Sequence, residues 1–600
     1  SRRNKKFVSG NSLYNSYVSE QCKNIPALQK LLASASDNNI LLDISTIQLL
    51  VADCALHLFL SKNNTHINAN TNLLLGFLVN ELSIGEYDCL ISELIDDTDS
   101  AISFCKENPL LFNMEYIYEA DEDILGLIYI SCKNIGNRKA TGSYYTSTKV
   151  VKNLISRLSF QEPVKVLDPC CGTGNFLLQL PGVLPFDSIY GNDIDAASVK
   201  ITRLNMALKY NVPVAAIYEH ITGQDYLTDY AEKDFQYIIG NPPWGYHFSE
   251  EEQSHLRTIY KSATGKNIES YDVFIEQALN HLTDNGHLAY VLPEAILNVK
   301  AHTNIRKTIL ENCSIKNLVF LGNAFDGVQC PCIILDLQCT RSPLSTVGMN
   351  VTTGTASFTI NIERTVSAEY FSFTTSDAEY NVLCKIRSMP NSAYLLDNAD
   401  FALGIVTGNN KEYISDIKNE NNEMILKGAD ICKYHITRTN NYIVFKPENF
   451  QQAAPTEMYR SPEKLLYRFI SSQLVFAYDD KQTLSLNSCN IVIPRLPGIK
   501  IKYVLAILNS RIAQFIYKKE FNSVKVLRSH IENIPIPTAD ASTQAEIIAL
   551  TDKLISGLQS DEAEKVYDEL DLLVSKAFNL DSNEIEIINR AVEGDNKFLA

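Results

Sequence analysis

Apolar positions fall into three regimes along the chain. From residue 1 to about 137 they recur at helical spacing, over 41–60 and 70–82, and a last apolar stretch at 124–130 stops before Gly136. From about Pro163 short β-rich runs alternate with helical ones. Residues 164–167, 188–192, 214–219, 237–239 and 286–292 read as strands, and 175–180, 196–209 and 271–282 as helices. That alternation predicts an α/β fold with a mostly parallel sheet covered on both faces. Beyond about Ser345, Ser and Thr become more frequent and the runs shorten, which predicts mixed β structure. A new segment starts near Phe401 and runs to about Ala539, after which Ile547, Leu550, Leu554 and Leu558 space out a helical tail.

Composition narrows the class. A chain of 600 residues with 45% hydrophobic and 20% charged residues is a multidomain globular protein, not a collagen-like or disordered one. Apolar runs such as 73–79 fall short of the ~20 residues that span a bilayer. The basic stretch 1–6 is followed by no apolar segment, so a cytoplasmic protein with no membrane partner is expected. The 14 cysteines contain no Cys-x-x-Cys and the 10 histidines no His-Glu-x-x-His, which predicts reduced thiols and no structural metal. Net charge is −17, but residues 425–535 hold 16 Lys+Arg against 8 Asp+Glu, whereas 536–600 hold 5 against 14. One basic region inside an acidic chain is either chance clustering or a face for a polyanion.

Three motifs carry chemistry. In Val166-Leu167-Asp168-Pro169-Cys170-Cys171-Gly172-Thr173-Gly174-Asn175-Phe176 a strand enters a glycine loop and then a helix. Gly172 and Gly174 allow a tight turn and close backbone approach, but the third glycine of the dinucleotide fingerprint is missing. The pair fits a plain turn or a nucleotide-like ligand. Asp168 beside the loop suits a cation such as the amino-acid part of S-adenosylmethionine. Next, Tyr190-Gly191-Asn192-Asp193 ends a second strand with an acid able to accept ribose hydroxyls, and Gly223-Gln224-Asp225 follows a third strand. Each acid alone also fits a cap or loop; together they favour a nucleoside site. The third motif, Asn241-Pro242-Pro243-Trp244, ends a fourth strand. Two prolines rigidify the turn, so that the Asn241 side-chain carbonyl and the Pro242 backbone carbonyl can converge on an exocyclic amine. Trp244 offers a face for a planar base. A proline-fixed turn with an aromatic plug is the bland alternative.

The succession Asp-Pro-x-x-Gly-x-Gly-x-Phe then Asn-Pro-Pro-Trp resembles the S-adenosylmethionine-dependent amino-methyltransferases, particularly the gamma-class DNA adenine-N6 enzymes of restriction-modification systems. Further blocks match in order. They are Arg138-Lys139-Ala140-Thr141-Gly142-Ser143-Tyr144-Tyr145-Thr146, Ser270-Tyr271-Asp272-Val273-Phe274, the stretch 286–293 and Ala324-Phe325-Asp326-Gly327-Val328. So do Leu403-Gly404-Ile405-Val406-Thr407-Gly408-Asn409-Asn410, the stretches 426–431 and 506–510, and the closing stretch 528–537. The likeness covers about residues 120–540. It departs at Trp244, where tyrosine or phenylalanine is commoner.

The resemblance implies a Rossmann-like methyltransferase domain at 138–375, an N-terminal helical region at 1–137, a C-terminal α+β target-recognition domain at 396–540 and a helical tail at 541–600. It implies S-adenosylmethionine bound by Thr146, Asp168, Gly172, Gly174, Asp193, Asp225 and Asn241. Catalysis would fall to Asn241, Pro242, Pro243, Trp244 and Phe325, the two aromatics packing a flipped base. Double-stranded DNA is the implied partner, and a separate restriction endonuclease subunit is left open. The rival readings are an RNA or protein-glutamine amino-methyltransferase and a non-catalytic DNA-specificity module. Residues 425–535, singled out by charge, lie inside the recognition-like part. Lys427, Lys433, Arg438, Arg468, Lys518, Lys519, Lys525 and Arg528 are the expected DNA-facing cations.

Overall fold

A computed structural model describes residues 17–65, 72–133, 145–161, 164–325, 330–354, 356–437, 439–521 and 523–594. The chain divides into two compact units, residues 1–373 and 374–600.

The first unit is built on a nine-stranded sheet. Its strands are β1 (Val166–Asp168), β2 (Ile189–Asn192), β3 (Ile221–Thr222), β4 (Phe235–Gly240), β5 (Leu282–Pro293), β6 (Cys313–Gly322), β7 (Cys332–Cys339), β8 (Met349–Thr352) and β9 (Ser357–Ile360). Their order is β3-β2-β1-β4-β5-β7-β6-β8-β9. β1 pairs in parallel with both β2 and β4, β2 with β3, and β4 with β5, while β7 runs antiparallel between β5 and β6. The central strands are apolar throughout, with Val166, Leu167, Ile238 and Ile239 fully buried, as a sheet covered on both faces requires. The order reverses between β1 and β4. A crevice opens at such a switch point, beyond the carboxyl ends of the strands.

The expected strand over 214–219 is a helix, Val214–His220. Pro213 caps it and two alanines follow, so proline preorganisation and alanine propensity outweigh the β-branched Val214 and Ile217. Ile217 is fully buried, and the strand shrinks to the two residues of β3. The helix Ala196–Tyr210 sits where the spacing puts it, capped by the Asp195 side chain.

The helix Ile44–Lys62 corrects the reading of apolar runs. Its 19 residues are long and apolar enough to cross a bilayer, yet 78% of its most apolar window is buried inside the first unit. It is apolar on all sides because it is enclosed on all sides. With the helix Ile124–Cys132 it joins the same continuous core as the sheet.

The second unit contains an antiparallel four-stranded sheet, Ala399–Ala402, Cys489–Pro494, Lys464–Arg468 and Phe476–Asp479 in spatial order. A smaller four-stranded sheet is formed by Ile414–Ser415, Tyr442–Ile443, Glu423–Leu426 and Leu484–Ser485. The acidic tail forms the helices Ala541–Ile555, Ser560–Ala577 and Ser582–Ala591, whose Ile547, Leu554, Tyr567 and Val574 share a core with the helix Ile501–Asn509.

Candidate functional site

The site grows from the ends of β1, β2 and β4. The glycine loop leaves β1 with Gly172 at φ 53° and Gly174 at φ 94°, the left-handed region open to glycine. Polar contacts fix the loop on every side. Cys171 N donates to Asn192 O (2.9 Å), Gly172 N to Asp193 Oδ2 (2.8 Å), and Thr202 Oγ1 to Gly172 O (2.7 Å). Asp193 also accepts from Asp195 N through Oδ1 (2.9 Å). Each of its oxygens therefore holds one backbone N–H and keeps acceptor capacity for a hydroxyl.

Asp168 is fully buried. Its Oδ1 accepts from Cys170 N (3.2 Å), while Oδ2 has no hydrogen-bond partner among the described residues. An orphaned buried carboxylate oxygen is costly, and an ammonium ligand would satisfy it. Burial pushes the Asp168 carboxyl well above its ordinary range and Asp193 up to about 6. It also pushes the Cys170 and Cys171 thiols up, so both stay protonated and are poor nucleophiles.

β4 delivers the third motif against this acid. Gly240 has φ 143°, and a Cβ there would lie 2.6 Å from Asp168 Oδ1. Only glycine lets the strand pass so close and place Asn241 next to the loop. The Asn241 amide nitrogen donates to Thr146 Oγ1 (3.1 Å), and Thr146 O accepts from Asn175 Nδ2 (2.9 Å). Thr146 thus ties the helix after the glycine loop to the asparagine and defines which end of the Asn241 amide is the acceptor. The family likeness had placed Thr146 with the cofactor; its contacts join it to the Asn-Pro-Pro-Trp turn. The rest of that upstream block, residues 138–144, lies outside the described residues.

Pro242 is buried, and Pro243 O accepts from Ser270 Oγ (2.5 Å) at the start of the helix Ser270–His281. Trp244 and Phe325 meet edge to face, with centroids 4.9 Å apart at 82°. Both are more than nine-tenths buried. Asp326, Gly327 and Val328 lie outside the described residues. Asp225 follows β3, its Oδ1 accepting from Leu227 N (2.9 Å). Its loop is held to β2 by Asn192, which bonds Gln224 through both ends of its amide (2.9 and 3.0 Å).

Sequence reading quoted Asn175, Asn192 and Ser270 inside its motifs without giving them a role, and missed Thr202. All four are buried polar residues within or beside the motifs. Polar residues on otherwise apolar faces were the available signal, but their partners lie too far along the chain to be named from it.

The basic segment of the second unit is less free than its charge count implies. Lys433 is buried, its Nζ donating to Asn509 O (3.0 Å) and Tyr567 Oη (3.3 Å). Burial drops its pKa to about 8. Arg468 donates to Gly428 O (2.9 Å) and Ile431 O (2.7 Å), Lys519 pairs with Glu379 (2.8 Å), and Arg528 pairs with Glu532 (2.7 Å). Lys433 is structural, which removes it from the expected DNA-facing set, whereas Arg468 is only partly buried. Lys427 donates to Asn441 Oδ1 (2.7 Å) on the wall of a surface cleft, and Lys525 is exposed. Arg438 lies outside the described residues.

Comparison with known proteins follows the same division. Residues 120–361 match the N-6 DNA Methylase family, and residues 423–536 match the TaqI-like C-terminal specificity domain. The Type II methyltransferase M.VspI of Vibrio sp. (strain 343) is 28% identical over 331 residues, covering 54% of this chain and 79% of that protein. The Type II methyltransferase M.CvrRI of Paramecium bursaria Chlorella virus XZ-6E is 31% identical over 166 residues, 28% of this chain and 40% of that protein. The chain thus spans well under two thirds of the second relative. In fold, it resembles the Type IIL restriction-modification enzyme MmeI, solved in complex with DNA, at a TM-score of 0.58 and 12% identity over 96% of this chain and 99% of that one.

Proposed function

We propose that this chain, whose residues 120–361 match the N-6 DNA Methylase family and whose residues 423–536 match the TaqI-like C-terminal specificity domain, transfers the methyl group of S-adenosylmethionine to N6 of an adenine flipped out of double-stranded DNA. One observation carries the reading. Asp168, the glycine loop, Asp193 and the Asn241–Trp244 turn converge at one sheet edge, with the Asn241 amide oriented by Thr146.

The residues present fit the methyl donor. Asp168 Oδ2 would receive its ammonium, Asp193 its ribose hydroxyls and the loop its main body, with Asp225 on the β3 side of the same edge. The donor supplies a sulfonium-activated methyl, so the chain need only bind, orient and exclude water. Asn241 Oδ1 and Pro242 O would accept the two N–H groups of the adenine amine and turn its lone pair toward the methyl. Pro243, held by Ser270, keeps that turn in place.

A base paired in a duplex must be flipped out, at a cost of a few kcal/mol. Stacking on Trp244 offsets this by about 1–3 kcal/mol. Trp244 and Phe325 touch each other, so a base sandwiched between them requires the rings to part. Sequence choice falls to the specificity domain, whose cleft carries Lys427 and Asn441. The setting is the cytoplasm, and a separate restriction endonuclease of matching specificity is the proposed partner.

The test is radiolabelled methyl transfer to duplex DNA, RNA and protein, with product identification by mass spectrometry. N6-methyladenine in duplex DNA alone is expected. Asn241→Ala should cut turnover about 10²–10³-fold while sparing donor affinity. Label in RNA or protein, or near-normal turnover of the variant, would overturn the reading.

A further inference from the structure

The helical segment before the sheet reaches the glycine loop through one buried carboxylate. Asp123 caps the helix Ile124–Cys132, accepting from Gly126 N (2.7 Å) through Oδ1. The same Oδ1 accepts from Asn205 Nδ2 (2.8 Å). Oδ2 accepts two hydroxyls, Tyr17 Oη (2.5 Å) and Thr173 Oγ1 (2.5 Å). Asp123 is fully buried, and its four donors fill the capacity of a carboxylate.

Thr173 is the residue between the two loop glycines. It is 2% exposed, so its hydroxyl turns into the protein rather than toward a ligand. Asn205 closes the ring by donating to Thr173 O (2.7 Å). The approach is as close as the backbone allows. A Cβ on Gly126 would lie 2.0 Å from Asp123 Oδ2 and 2.4 Å from Thr173 Oγ1.

The same helix touches the second acid loop. Gly126 and Tyr129 are three residues apart and share a face. Tyr129 Oη donates to Asp195 Oδ2 (3.0 Å), and Asp195 N donates to Asp193 Oδ1 (2.9 Å). One rigid helix therefore fixes both the loop expected to meet the donor's main body and the acid expected to meet its ribose.

We propose that the helix Ile124–Cys132 with its cap Asp123 is a clamp on the two donor-binding loops, and that Asp123, acting through Thr173, is a positioning residue for S-adenosylmethionine. The inference rests on the donor-site reading above. Part of what the helical segment does is then to make the cofactor loop. A loop with two left-handed glycines samples many backbone states unless held, and each unproductive state reduces apparent affinity by its population.

Two full-length variants test it: Asp123→Asn, isosteric but uncharged, and Thr173→Val, isosteric without the hydroxyl. The probe is S-adenosylhomocysteine, titrated by calorimetry. Its Kd should rise at least about tenfold in each, equivalent to ~1.4 kcal/mol. The double variant should be little worse than the weaker-binding single, because both act on the shared Asp123–Thr173 bond. At saturating methyl donor, kcat and the KM for DNA should stay within about twofold of the wild type, and Thr173→Ser should restore affinity. Folded variants that bind normally and differ only in melting temperature would overturn the clamp. Should Asp123→Asn not fold, Thr173→Val decides alone. Hydrogen exchange at residues 171–174 of the ligand-free protein gives an independent readout: faster in the variants if the clamp exists, unchanged if not. If the wild type binds no S-adenosylhomocysteine while exchange still accelerates, the donor-site reading fails and the clamp on the loop stands.

Discussion

Thr146→Val separates two roles for one residue. As a family-type cofactor ligand, Thr146 would affect donor affinity; as the partner of Asn241, it would affect chemistry. Its Oγ1 accepts the Asn241 amide N–H at 3.1 Å, and it is 5% exposed. Valine keeps the shape and removes the acceptor. The productive amide orientation then carries a buried N–H with no acceptor at that point, a penalty of about 1–3 kcal/mol in general. Asn241 is not fully enclosed, which places the cost in the lower part of that range. A rise of about 1–2 kcal/mol in the barrier slows methyl transfer about 5- to 30-fold. The assay is single-turnover transfer to duplex DNA at saturating donor, paired with calorimetry of S-adenosylhomocysteine. The expected pattern is a slower step with near-normal affinity, and Thr146→Ser should recover the rate. An unchanged rate, or a loss confined to affinity, would refute the orienting role.

Other outcomes follow from the same geometry. Donor affinity should fall as pH drops through about 6, with Asp193 contributing up to about tenfold per unit. Asp193, pushed up to about 6 when free, accepts ribose hydroxyls more strongly as the carboxylate. Asp168 titrates in the same sense, so Asp193→Asn should weaken binding and reduce the slope near pH 6 without flattening the whole profile in calorimetry. Gly240→Ala forces a Cβ to within 2.6 Å of Asp168 Oδ1 at a positive φ, and should lower the melting temperature by an amount equivalent to about 1–3 kcal/mol while impairing donor binding. Lys525→Gln should reduce the log–log salt slope of DNA binding by about one if Lys525 meets a phosphate. Lys433→Met should instead alter stability and leave the slope unchanged, as measured by binding isotherms at several salt concentrations.

What the sequence determined by itself was local. The glycine loop, the proline-fixed Asn241 turn and the alternation of strands with helices each lie within a few residues, where backbone preference and periodicity act directly. They were enough to place Asp168, Asp193 and Asn241 at strand ends. Where two local preferences competed, as in residues 214–220, the reading failed, because a capping proline and two alanines outweighed the β-branched residues. Tertiary structure decided what depends on contacts across long separations. Asn241 meets Thr146 across 95 residues, and Thr173 meets Asp123 across 50. It also decided which charges are free. A count over residues 425–535 cannot tell an exposed Lys525 from a Lys433 held inside by Asn509 and Tyr567. Burial belongs to the packed chain, and only packing says which side of the surface a cation ends on.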